Sequence, residues 1–268
     1  MSSLASSSEE LILHRRGAVQ WAVFNRPAAY NAMTHAMEAG LTRLCRALND
    51  EPEVRALVLI GAAGSKPAFM AGADMGDLAD VGSVEGAIEM ERLSEDMLTA
   101  LENVRVPTIA AIAGPCVGVG ALIASACDVR LASPSIRFGF PIARTVGNSL
   151  SAKNFARLVA LLGPARTKEM VFSTRLLEAG QLASLGVLRE VAPAEGLLEA
   201  RAQAVAEELA ALAPLTLWST KETLRRLRDA GLDGADDDDL LMACYLSEDY
   251  RGAIAAFVEK RKPVFQGR

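Results

Sequence analysis

The chain alternates between short apolar runs of strand length and longer stretches in which apolar residues recur every three or four positions. Two apolar segments flank Arg15-Arg16-Gly17 between Glu10 and Phe24, which predicts a β-hairpin ending at the Asn25-Arg26-Pro27 turn. Thr34 is placed to N-cap a helix running to about Leu48. The predominantly apolar run Val54 to Ile60 reads as a strand buried on both faces. Ile88, Leu93, Met97 and Leu101 give Val84 to Glu102 a helical period, and Val106-Pro107 opens a strand through Ile112. The glycine-rich stretch Gly114 to Gly120 leads into an apolar helix to Ala126, with another strand at Asp128 to Ala132. From Asn148 the pattern is helical almost to the end, broken by a short strand around Val187 to Val191 and by turns at Gly163-Pro164 and Pro193.

This order of strands and helices predicts an α/β fold with crossovers in a repeated βα arrangement. The 268 residues suit one core, and the high apolar share (51%) with few aromatics (5%) favours helices packed on a buried sheet. The expected organisation is a disordered tail over 1–8, a core over 9–194 and a C-terminal helical region of the same domain over 195–268. No internal repeat or low-complexity linker argues for a further division.

Charge and residue counts then exclude whole classes. The net charge of −5 is spread with mixed sign, without the basic track a nucleic-acid partner requires. No apolar run reaches the ~18 residues of a membrane span, and the Ser-rich start lacks the features of a signal peptide, so a cytoplasmic protein is expected. The four cysteines, Cys45, Cys116, Cys127 and Cys244, have no C-x-x-C spacing and read as buried free thiols. With two histidines, His14 and His35, a His-rich metal site is excluded and a Ser-His-Asp hydrolase would depend on one of them. The acidic run Asp236 to Asp239 reads as a solvated helix start favoured by the helix dipole rather than a metal cluster. No G-x-G-x-x-G follows the first strand, which sets aside a dinucleotide-dependent dehydrogenase.

Two loops carry candidate chemistry: Ala71-Gly72-Ala73-Asp74 and Gly118-Val119-Gly120. Both place small residues just before a helix, where N–H groups lack acceptors and glycine lets a ligand atom approach the backbone. Such a pair can hold an oxyanion.

The segments Phe69 to Asp74 and Ala110 to Ala132 (AAIAGPCVGVGALIASACDVRLA) resemble the two signatures of the enoyl-CoA hydratase/isomerase, or crotonase, superfamily. The resemblance extends through Asn25-Arg26-Pro27 with Asn31-Ala32, Phe138-Gly139-Phe140-Pro141, Ser247-Glu248-Asp249 and Phe257 to Pro263. It implies a crotonase-like spiral of ββα units, C-terminal helices that build a homotrimer or a hexamer of paired trimers, and an acyl-CoA substrate with no separate cofactor and no metal. Carried over by position, the oxyanion donors would be the backbone N–H groups of Ala73 and Val119. CoA would lie along Ala28, Ala29, Tyr30, Ala71, Asp74 and Met75, with Phe257 and Lys260 reaching it across a subunit boundary.

The resemblance breaks where proton transfer is expected. The typical hydratase supplies one glutamate two residues after the second loop and another directly after the Phe-Gly-x-Pro turn. Leu122 and Ile142 stand there, and neither can transfer a proton. Candidate replacements are Asp77, Glu91 and Glu95 around the first loop and its helix, and Arg144, Asn148, Ser149 and Ser151 after Pro141. For Asn148 the structural alternative is helix capping; for Arg144 the two readings are an internal carboxylate partner or a substrate carboxylate. His35 reads as structural or as a base, and Cys116 as packing. The expected activity is hydratase or isomerase chemistry through a thioester enolate, with a thioester hydrolase and a noncatalytic acyl-CoA-binding protein as the alternatives.

Overall fold

The computed structural model describes residues 8–64, 66–79, 84–230 and 238–268. Its main sheet has six strands: β1 (Leu11–Arg16), β2 (Val19–Phe24), β3 (Ala56–Gly61), β5 (Thr108–Ile112), β7 (Val129–Ala132) and β9 (Glu190–Val191). They lie in the order β1-β2-β3-β5-β7-β9, with the β1–β2 hairpin antiparallel and each later pair parallel. A second, three-stranded sheet is formed by β4 (Met70–Ala71), β6 (Pro115–Val117) and β8 (Arg137–Gly139), all parallel. Three successive circuits, from β3, β5 and β7, therefore each add one strand to the large sheet, one to the small sheet, and then helix. The spiral that results is mostly parallel, as the alternating pattern predicts.

Period-2 alternation sorts the strand side chains into two cores. Ala22, Phe24, Leu57, Leu59, Ala110 and Ile112 face one cluster; Trp21, Ala56, Val58, Ile109, Ala111 and Leu131 face the other. The first is covered by α1 (His35–Ala47), α3 (Val84–Glu102), α4 (Val119–Ala126) and α5 (Ala152–Ser173). The second is covered by α7 (Leu198–Ala210), so this helix of the C-terminal region closes one side of the sheet. Trp21 is fixed there by its ring N–H, which donates to Gln203 Oε1 at 2.9 Å.

Thr34 caps α1 by accepting from Met37 N–H at 3.2 Å. The Gly163-Pro164 break lies inside α5, where Gly163 leaves helical geometry at φ 75° and ψ 161°. The remaining elements are α2 (Met75–Ala79), α6 (Ala179–Ser184), α8 (Pro214–Ala230), α9 (Asp238–Tyr245) and α10 (Glu248–Val258).

Three expectations change. The small sheet occupies segments expected to be loops, because strands of two or three residues are too short to show a period. The strand expected over 187–191 shrinks to Glu190–Val191. Asn148 is not a cap: α5 starts at Ala152, capped by Ser151, whose hydroxyl accepts from Asn154 N–H at 3.2 Å.

Cys45, Cys116 and Cys127 are free and buried, and burial pushes their thiols up, Cys127 to about 12. Cys116 packs in the core, its thiol 3.5 Å from the Gly120 carbonyl. The tail over 1–7, Asp236 and Asp237 lie outside the described residues, as does the side chain of Cys244. Asp239 is exposed and accepts from Arg226 at 2.7 Å. Among the described residues no helix is long and apolar enough to cross a membrane, and no cluster of three metal-ligating side chains occurs.

Candidate active site

The turn after β2 is built around Asn31, fully buried with a left-handed backbone (φ 57°) next to Tyr30 (φ 50°). Its side-chain carbonyl accepts from Arg26 N–H at 2.9 Å, and its amide donates to the carbonyls of Ala68 (2.8 Å) and Ala62 (3.3 Å). Asn31 thereby joins the turn carrying Ala28, Ala29 and Tyr30 to the segment entering β4. Three backbone bonds continue the seam: Ala71 N–H to Tyr30 O (3.1 Å), Met33 N–H to Gly72 O (2.9 Å) and Asp74 N–H to Met33 O (2.8 Å). Arg26 closes it by donating to Asp74 at 2.8 Å. That bond, with a second from Gly76 N–H, holds the Asp74 carboxyl below its ordinary range. Asp74 is therefore a structural tie between the two loops.

The same seam isolates one donor. The parallel bridge between Met33 and Ala73 uses the carbonyl before Ala73 and the N–H after it, so the N–H of Ala73 points to the opposite side. On that side β6 runs in register with β4, Ala71 beside Val117, and both chains then turn at left-handed glycines, Gly72 (φ 95°) and Gly118 (φ 56°). The backbones pass so closely that a Cβ on Gly118 would lie 3.4 Å from Gly72 Cα. The next residue along each chain is Ala73 and Val119. Val119 opens α4, where first-turn N–H groups have no helical acceptor. Among the described residues neither N–H donates to a protein acceptor. Two unpaired donors thus stand on adjacent loops.

The side chains expected to handle protons are dispersed. Leu122, one turn along α4, and Ile142 are buried in the large core. Asp77 is engaged, accepting from the backbone N–H of His35 at 2.9 Å. The exposed imidazole of His35 lies 3.5 Å from Glu38. Glu91 on α3 is half-buried; burial, then the Glu95 carboxylate one turn on, push its acid up. Arg144 is exposed, with no side-chain partner among the described residues, so the internal-carboxylate reading falls. It opens onto a separate cavity. Met75 is exposed at the start of α2; Lys260 is exposed just past α10, and the side chain of Phe257 lies outside the described residues.

A buried ion cluster went unread in the sequence. Arg157 on α5, 3% exposed, donates to Glu95 at 2.7 Å and to Glu102 at 2.9 Å, and Arg228 on α8 also pairs with Glu102. Burial pushes the Glu95 acid up, but the Arg157 bonds outweigh it and leave the carboxyl below its ordinary range. The cluster binds α3 to α5 and α8, fixing the helix that carries Glu91.

The model of the enoyl-CoA hydratase/isomerase family matches residues 14–268. A short-chain-enoyl-CoA hydratase of Clostridium acetobutylicum is 30% identical over 94% of this chain and 95% of its own length. The 2,3-dehydroadipyl-CoA hydratase of Escherichia coli is 31% identical, covering 97% and 99%. The crystal structure of an enoyl-CoA hydratase/carnithine racemase from Magnetospirillum magneticum superposes with a TM-score of 0.87 at 31% identity, covering 98% and 97% of the two chains. The mostly parallel α/β fold with its C-terminal helical region is shared with solved enoyl-CoA hydratases, and this chain belongs to the enoyl-CoA hydratase/isomerase family. The two hydratases from Clostridium acetobutylicum and Escherichia coli are named for enoyl-CoA substrates.

Proposed function

We propose that the chain binds an enoyl- or acyl-CoA with the thioester oxygen between the N–H groups of Ala73 and Val119, and stabilises the enolate that forms when the neighbouring carbon gains or loses a bond. The observation that carries this reading is the pair of unpaired donors following Gly72 and Gly118. Donors preorganised in this way are worth roughly 3 to 4 kcal/mol each when charge develops on a carbonyl oxygen. CoA is substrate here, lying along Ala28, Ala29, Tyr30, Ala71, Asp74 and Met75, with Phe257 and Lys260 supplied from a neighbouring subunit of a homotrimer or a hexamer of paired trimers. Support for that assembly comes from α9 and α10, which leave Met242, Tyr245, Leu246, Tyr250 and Ile254 exposed.

Leu122 and Ile142 supply no proton, so hydration or isomerisation needs another group. Glu91 is the proposed acid–base residue. It lies on the helix packed against α4, and its partial burial raises its acid toward the range a proton-transfer group uses. Asp77 is left with a structural role by its bond to His35. A second reading, binding without turnover, is favoured by the burial of Leu122 and Ile142 in continuous apolar core.

A panel of crotonyl-CoA, longer and branched enoyl-CoAs and saturated acyl-CoAs separates the readings, with conjugated-thioester absorbance and free-thiol release followed independently. Loss of conjugation without thiol is the expected result. Thiol release would identify a hydrolase, and CoA binding with silence on every substrate would establish the noncatalytic reading.

A further inference from the structure

A cavity of about 730 Å³ opens beside β8, an outer strand of the small sheet, and neither Ala73 nor Val119 lines it. Its floor is fixed by Leu177, which exchanges two backbone bonds with Phe138 of β8, at 2.9 and 2.7 Å. The chain reaches this floor by ending α5 at Thr174, a non-glycine residue in the left-handed region (φ 56°).

Three arginines from separate segments converge on the cavity: Arg144 from the turn after β8, Arg166 from the second half of α5, and Arg175 just beyond it. Among the described residues none of the three guanidinium groups has a hydrogen bond or ion pair. Most arginines of this chain do have a carboxylate, as at Arg26, Arg46, Arg157 and Arg201. Two acids also border the cavity. Glu178 is engaged, 3.3 Å from Arg137 and capping α6, which leaves Glu169 against three cations. Like charges gathered around a concavity repel one another unless an anion enters, and the planar fork of arginine suits carboxylate and phosphate oxygens. The volume lies within the range of small-molecule sites.

We propose that this cavity binds the carboxylate or phosphate end of a small organic anion, held by Arg144, Arg166 and Arg175. Two sources share that chemistry. One is a separate metabolite. The other is the far end of a substrate acyl chain, since Gly139 of β8 accepts from Gly118 N–H at 3.2 Å, one residue before Val119.

The test is calorimetric titration of the full chain at low ionic strength with glutarate and with inorganic phosphate. Saturable binding of at least one is expected, weakened tenfold or more in Arg166→Gln/Arg175→Gln and in Arg144→Gln. It should persist in Arg43→Gln/Arg46→Gln, whose net charge changes equally at a remote site. Saturation by neither anion, or equal weakening in the remote control, would overturn the proposal. If glutarate excludes glutaryl-CoA but not butyryl-CoA, the site reads an acyl end; if it excludes neither, it holds a separate ligand. Both results require the cavity to bind the anion and so uphold it.

Discussion

The bed of the candidate site and its proton-transfer side are built in opposite ways. In the bed, from Asn25 to Asp74 and across to Val119, the surrounding polar groups are tied to one another through Asn31, Arg26 and the backbone seam, and two N–H groups stay free. On the other side, Leu122 and Ile142, which the resemblance sets at the positions of the usual glutamates, are buried in the apolar core, and Glu91 stands on a helix held by a buried ion cluster. Charge stabilisation built from main chain survives substitution at many positions, because every non-proline residue carries an N–H. Proton transfer depends on one side chain and is lost with it. On the proposed reading, binding chemistry of this kind can persist where the proton-transfer groups differ.

The largest expected effect lies on the proton-transfer side. Arg157→Met should leave Glu95 without its main partner and Glu102 with Arg228 alone, at a cost of about 3–5 kcal/mol of stability by comparison with other broken buried pairs. Urea unfolding measures it. An unchanged midpoint would show that α3 is held by other means.

Next is Gly118→Ala in the bed, where a side chain is forced into a left-handed turn beside Gly72. Turnover of the best acyl-CoA in the panel should fall about 100-fold or more, the scale of losing one oxyanion donor, while the strained backbone costs about 1–3 kcal/mol of stability. Glu91→Gln should lower the same rate by roughly 10²-fold, the lower end of acid–base catalysis, without weakening CoA-ester binding. Equal loss of binding in both variants would erase the distinction between the two regions.

Asn31→Ala should cost about 1–3 kcal/mol by stranding the Arg26 N–H and the Ala68 carbonyl, again read by urea unfolding. The smallest effect calibrates the rest from a remote place. His14 stacks on Trp21, and burial, then the charge of Arg16, lower its pKa. Its depressed folded value means the unfolded chain takes up the proton first as pH falls through about 6.5, so stability present above that pH declines below it. His14→Gln should flatten this slope between pH 7 and 5 while leaving acyl-CoA binding unchanged.

What the sequence made legible follows from how far each interaction reaches along the chain. Short apolar runs located β2, β3, β5 and β7, and glycines ahead of helices marked both loops that carry the N–H pair. The small sheet was hidden because β4 and β8 draw their meaning from the parallel strand β6, 46 and 22 residues away, rather than from a local pattern. The ion cluster was equally hidden: Arg157 and Glu102 are 55 positions apart, and Arg228 and Glu102 are 126 apart. Arg144 drew notice as a cation in an apolar stretch, yet its lack of a partner and its two companion arginines became visible only in the fold.

The most direct test of the N–H pair needs no turnover. The infrared stretch of a ¹³C=O-labelled thioester should move to lower frequency when butyryl-CoA binds the protein, because two donors polarise that carbonyl. The shift should shrink in Gly118→Ala at saturating ligand. A bound thioester whose carbonyl frequency matches that in water, or a shift unaffected by the substitution, would contradict the assignment of Ala73 and Val119 as its donors.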